Sequence, residues 1–166
     1  VPGWNVYDNN SNTADVHGHG TWVAGVAAMA ANNAKGSAGV AWGAKIMPVR
    51  IADANAYAYW STVAQGIYWA ADNGAKVVNM SFGKDFSPEK KWVDDAVRYA
   101  ESKGVLLVHA AGNDGQNNDV KKNFPNANYL KSKKSCKTWI EVGASSWENN
   151  DFAAGFSNYG EKSVDV

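Results

Sequence analysis

The chain has one cysteine, four prolines and no excess charge of either sign among its 166 residues. A lone cysteine, Cys136, excludes an internal disulfide and leaves the redox compartment unmarked. Sixteen Lys and Arg offset sixteen Asp and Glu, so no global field draws the chain to nucleic acid or to an anionic membrane. No apolar run approaches the roughly 20 residues that a membrane helix needs. The first residues lack the charged-then-apolar order of a signal peptide. Neither G-x-G-x-x-G nor a P-loop lysine motif is present, which weighs against an α/β domain that binds a small molecule through its phosphates.

What is present reads as one globular domain with a real core. Apolar residues make up 45% and charged residues 19%. The one concentration of charge is "KSKKSCK", Lys131 to Lys137, which reads as a solvated loop. Cys136 lies inside it with no base beside it, so an incidental thiol is the expectation.

The first sixteen residues, rich in Asn, Asp and Gly, read as a surface loop. From Gly20 to about Ala31 the spacing predicts a helix that is apolar on every face and therefore belongs inside a fold. "AKIMPVRI", Ala44 to Ile51, reads as a strand weakened by Pro48. Val63, Ile67 and Ala70 mark a helix that Asn73-Gly74 stops. "KVVNMSF" is the next strand. "SPEKKWVDDAVRYAESKG" is a helix with Ser87 as N-cap, Pro88 in its first position and Val93, Ala96, Val97 and Ala100 facing inward. "GVLLVHAAGN" reads as a strand buried on both sides, and "WIEVGAS" as a further one. Alternating strands and helices predict a mostly parallel sheet flanked by helices, with function at the carboxyl ends of the strands.

Three stretches at such places carry chemistry. "HGHGTWVAG" sets His17 and His19 at a helix opening, "NMSFG" ends one strand and "AAGNDG" ends the next. Imidazole titrates near neutrality and suits general acid–base work. An amide such as that of Asn113 suits a developing oxyanion, although Gly112 to Gly115 would make a good turn in any case. His109, inside an apolar strand, reads as a packed core residue.

Together the His-Gly-Thr-x-Val-Ala-Gly run and the downstream Ala-Ala-Gly-Asn resemble the subtilisin-like serine proteases, over nearly the whole chain. The resemblance implies a subtilisin-like three-layer α/β sandwich. It implies that His19 is the general base, with His17 in the preceding loop, and that Asn113 is the oxyanion donor. It implies that Ser81, Phe82 and Gly83 form the edge on which a substrate backbone adds as a strand. Ala110, Ala111 and Gly112 then form a wall of the primary specificity pocket, roomy enough for a large apolar or aromatic side chain. Trp60 corresponds to an outer apolar subsite, with core packing as its rival. Polypeptide substrates, a monomer and a secreted or periplasmic location follow from the same likeness, and the chemistry needs no cofactor. Many relatives bind calcium in the loop after the histidine helix; here "ANNAKGSAG" offers Asn33 beside Lys35, a thin donor set.

Two parts of the family's triad are not found. No strand ending in Asp-Ser/Thr-Gly precedes His19, where Asp8 and Asp15 lie in the Asn-rich loop, and no Gly-Thr-Ser-Met-Ala follows. Ser37, in "GSAG", has neither the motif nor the position. The expectation is that residues 1–166 form the central segment of one catalytic domain, cut at both ends and inactive alone. The alternative is a subtilase-derived, non-catalytic peptide-binding module.

Overall fold

The computed structural model describes residues 1–147 and 152–166, and both of its small sheets are built from parallel strands. Helices alternate with the strands, which is the α/β fold that the sequence pattern predicts. Contacts divide the chain into two units, Val1–Ala70 and Ala71–Val166.

In the first unit β1 (Trp4–Asn5) pairs with β2 (Val49–Arg50). The sequence reads β1 as loop, because two residues are too few to show an alternation. The expected strand at Ala44–Ile51 shrinks to two residues that begin just after Pro48. That proline has no N–H for a ladder, and its carbonyl accepts the Trp4 N–H at 3.1 Å. Between these strands lies α1 (His19–Ala28). Its sequence predicts burial on all sides, yet none of its residues is buried, and Trp22 and Val26 are 71% and 70% exposed. The N–H groups of Gly39, Val40 and Ala41 do close its end, donating to the carbonyls of Met29, Val26 and Ala27. Composition states what cover a helix requires, not what cover the chain supplies. The helix α2 (Trp60–Asp72) follows. At Gly66 a Cβ would stand 2.8 Å from the Ile51 side chain, so glycine permits the approach of helix to strand end. Thr62 Oγ1 donates to the Ile51 carbonyl at 2.7 Å beside it.

In the second unit β3 (Val77–Met80), β4 (Leu106–Ala110) and β5 (Trp139–Val142) form a sheet in that order. The connection from β3 to β4 is α3 (Lys90–Ser102), which buries Val93, Ala96, Val97 and Ala100 as its spacing predicts. Its start differs from the sequence reading. Pro88 and Glu89 form a turn, and the helix begins after Glu89 with no side-chain cap. Asp94 is buried on the inward face as well. Lys90 pairs with it, and the Leu130 N–H donates to it at 2.6 Å. On β4 Leu107 and His109 are buried while Leu106, Val108 and Ala110 are half-buried, so one face of the strand is fully covered and not two. The register sets Met80, His109 and Glu141 side by side across the three strands.

Candidate active site

His19 is the first residue of α1, exposed, with its ring edge-on to that of His17 at 6.4 Å between centroids. The segment is fastened by a residue to which the sequence reading gave no role. Asp15 Oδ1 accepts the N–H groups of His17 and Gly18 at 3.0 and 2.8 Å. Its Oδ2 accepts both the N–H and the hydroxyl of Thr21 at 2.7 Å. One carboxylate therefore satisfies donors that a helix start leaves open. These bonds, the Thr21 hydroxyl first, hold the Asp15 carboxyl well below the usual carboxylate range. An acidic residue a few positions ahead of a helix start was the available signal.

At the carboxyl ends of β3, β4 and β5 lies a pocket of about 220 Å³. Four of the residues expected there line it: Ser81, Ala110, Gly112 and Asn113. Ala111 does not. It is fully buried, and its N–H donates to the Val142 carbonyl at 2.8 Å. Phe82 and Gly83 continue past the pocket, and a Cβ at Gly83 would stand 2.5 Å from the Asn123 amide. Trp60 and His19 belong to the first unit. Trp60 is 7% exposed, which leaves little of its ring for a subsite wall.

Asn113 is exposed at the tip of a loop that three buried asparagines hold. Asn118, Asn123 and Asn158 all donate to the Ala111 carbonyl, at 2.8, 3.0 and 3.0 Å. Asn158 Oδ1 also accepts the N–H groups of Asp114 and Gln116 at 2.9 and 3.0 Å, one on each side of Gly115. Its own N–H donates to the Gly112 carbonyl at 2.9 Å. Gly112 is needed twice over: its φ is +111°, and a Cβ there would stand 2.4 Å from Asn158 Nδ2. Hydrogen bonds from buried side chains thus fix the loop backbone on both sides of Asn113.

The remaining candidates are quickly placed. His109 is a core residue, with Nδ1 at 3.0 Å from the Glu141 carboxylate and Nε2 at 2.8 Å from the Phe82 carbonyl. Cys136 is buried, with Sγ 3.6 Å from Thr138 Oγ1, while Lys131, Lys133, Lys134 and Lys137 around it are exposed. In the loop after α1, Asn33 Oδ1 accepts the Lys35 N–H at 3.0 Å, and residues 31–39 contain no carboxylate side chain. The loop thus offers calcium no carboxylate side chain, where that ion takes six to eight oxygens, usually with carboxylates among them.

The second unit thus has a pocket at the strand ends of its parallel sheet with the exposed Asn113 in its lining, and the first unit has a histidine that opens a helix. Comparison with known proteins makes this specific. A family model described as the Subtilase family matches residues 1–166. Thermitase of Thermoactinomyces vulgaris is 39% identical over 166 residues, covering 100% of this chain and 54% of that protein. The cell wall-associated protease of Bacillus subtilis is 38% identical over 164 residues, 99% of this chain and 16% of that protein. The crystal structure of a cold adapted subtilisin-like serine proteinase superposes with a TM-score of 0.76 at 30% identity, covering 97% of this chain and 52% of the other. The chain belongs to the subtilase family of serine proteases. It spans about half the length of thermitase.

Proposed function

We propose that this chain is the central segment of the catalytic domain of a subtilisin-like serine endopeptidase. The observation that carries the reading is the convergence of Ser81, Ala110, Gly112 and Asn113 on one pocket at the strand ends. In the proposed reaction a peptide lies along Ser81–Gly83 and places a large apolar or aromatic side chain in that pocket. A serine attacks the carbonyl, His19 takes its proton and returns it to the leaving amine, and the Asn113 amide donates to the oxyanion. Nucleophile, base and oxyanion donor are all protein groups, so this chemistry calls for no cofactor.

The serine and the aspartate that orients His19 are proposed to come from chain outside residues 1–166. The exposure of α1 supports this, since a helix of its composition needs apolar cover. The 166-residue chain alone is then expected to hydrolyse no peptide, because without the serine no acyl-enzyme forms. A monomer acting outside the cytoplasm is part of the same proposal. Among the described residues, no helix is long and apolar enough to cross a membrane.

The test is to read the coding DNA on both sides of this segment. In-frame Asp-Ser/Thr-Gly upstream and Gly-Thr-Ser-Met-Ala downstream support the reading. Other residues or stop codons at those places leave a peptide-binding module without catalysis.

A further inference from the structure

We propose that His109 is a positioning residue for the substrate edge, holding the Phe82 carbonyl inward through Nε2–H while Glu141 secures the other side of the ring. The proposal rests on the reading of Ser81–Gly83 as the segment that takes the peptide.

His109 sits on the central strand of its sheet, 1% exposed, at a depth where most side chains are apolar, and it borders the strand-end pocket. Its ring is instead bonded at both ends. Nε2 lies 2.8 Å from the Phe82 carbonyl, and Nδ1 lies 3.0 Å from each oxygen of the Glu141 carboxylate. A carbonyl oxygen only accepts, so Nε2 carries a proton. On the other side the ring and the carboxyl share the second proton, either as imidazolium and carboxylate or with the proton on the carboxyl. Both forms keep Nε2–H. A neutral ring protonated on Nδ1 alone would set a lone pair against the Phe82 oxygen. Glu141 is itself fixed, accepting Trp139 Nε1–H at 2.8 Å, while its own N–H donates to Asp165 at 2.8 Å. Trp139 and Phe82 pack on the imidazole with centroids at 5.4 and 6.4 Å.

The place of this bond gives it a role. Phe82 lies two residues past the end of β3, where the strand ladder no longer holds the chain. In extended backbone successive residues alternate in direction. Anchoring the Phe82 carbonyl inward turns the polar groups of Ser81 and Gly83 outward, as a pairing strand requires. His109 thus extends the order of the sheet by two residues without lengthening the ladder.

The test is steady-state kinetics of the full-length protein on a peptide p-nitroanilide with an aromatic residue before the cut. His109→Asn, too short to reach Phe82, raises KM about tenfold, as loss of one hydrogen bond does. It leaves kcat within about a factor of two. His109→Gln, whose amide nitrogen falls near the place of Nε2, restores most of the loss. A merely structural role would lower the folded fraction and therefore the apparent kcat, with KM unmoved.

A second measurement uses wild-type protein, so that a misfolded variant cannot hide the answer. Nitrogen NMR of the His109 ring shows a protonated Nε2 whose resonance moves when the peptide is added, together with the Ser81 and Gly83 amides. A bare Nε2, a resonance indifferent to the peptide, or an unchanged KM in His109→Asn overturns the proposal. If peptide leaves the Ser81 and Gly83 amides unmoved, the substrate-edge reading itself fails, and this proposal with it.

Discussion

The two segments proposed to carry the chemistry are held in opposite ways. The entry to α1, with His19, is fastened from outside by the Asp15 carboxylate, and no residue of the helix is buried. The loop of Asn113 hangs from three buried asparagines whose polar atoms have nowhere else to turn. A surface clamp competes with water and contributes modestly. A buried one is bonded fully or costs the desolvation of every group it abandons. The difference teaches which of the two survives alone. The Asn113 loop finds its clamps within its own unit, whereas the His19 helix has no buried residue.

Substitutions sharpen this contrast. Asn158→Leu has the largest expected effect, since it strands the Asp114 and Gln116 N–H groups together. The cost is about 2–4 kcal/mol in urea unfolding, with amide exchange at those two residues accelerated. Gly112→Ala comes next at about 2 kcal/mol, combining a left-handed φ with a Cβ against Asn158. Asn113→Leu is expected to leave stability unchanged. In the full-length protein it lowers kcat by about 10²–10³, the loss already known for an oxyanion-hole asparagine in a subtilisin.

Asp15→Ala costs about 1 kcal/mol, as loss of a helix cap does, read as faster amide exchange in the first turn of α1. Its pH dependence has a definite sign. The folded carboxyl titrates below its unfolded value, so its contribution is full above the ordinary carboxylate range and is lost as pH falls through the folded value. Protection at Thr21 should therefore weaken only in strong acid, and in Asp15→Asn that acid step should vanish. Smallest of all is Lys133→Ala in the exposed lysine loop, expected within about 0.5 kcal/mol of wild type by thermal unfolding.

Much of this was legible in the sequence. The stripe of α3, the glycine stop after α2 and the existence of β3, β4 and β5 follow from the local pattern, although the sequence runs those strands on to Phe82, Asn113 and Ser145. His19 and Asn113 stand out only through the resemblance of the motifs that hold them to the subtilase family. The clamps do not, because their partners lie far apart in the chain. Asn158 is 44 residues from Asp114, and His109 is 32 from Glu141. An asparagine in "FSNYG" looks like turn chemistry until the fold brings it under another loop. The exposure of α1 was illegible for a different reason, since burial depends on neighbours and not on the residues that ask for them.

The most direct measurement of the central claim is hydrolysis of an aromatic peptide substrate by the full-length protein, wild type beside His19→Ala. The account predicts cleavage after the aromatic residue by the wild type, reduced to background in the variant while its thermal unfolding stays in place. Cleavage that persists in His19→Ala, or a folded full-length protein that binds the peptide and never cuts it, would contradict it.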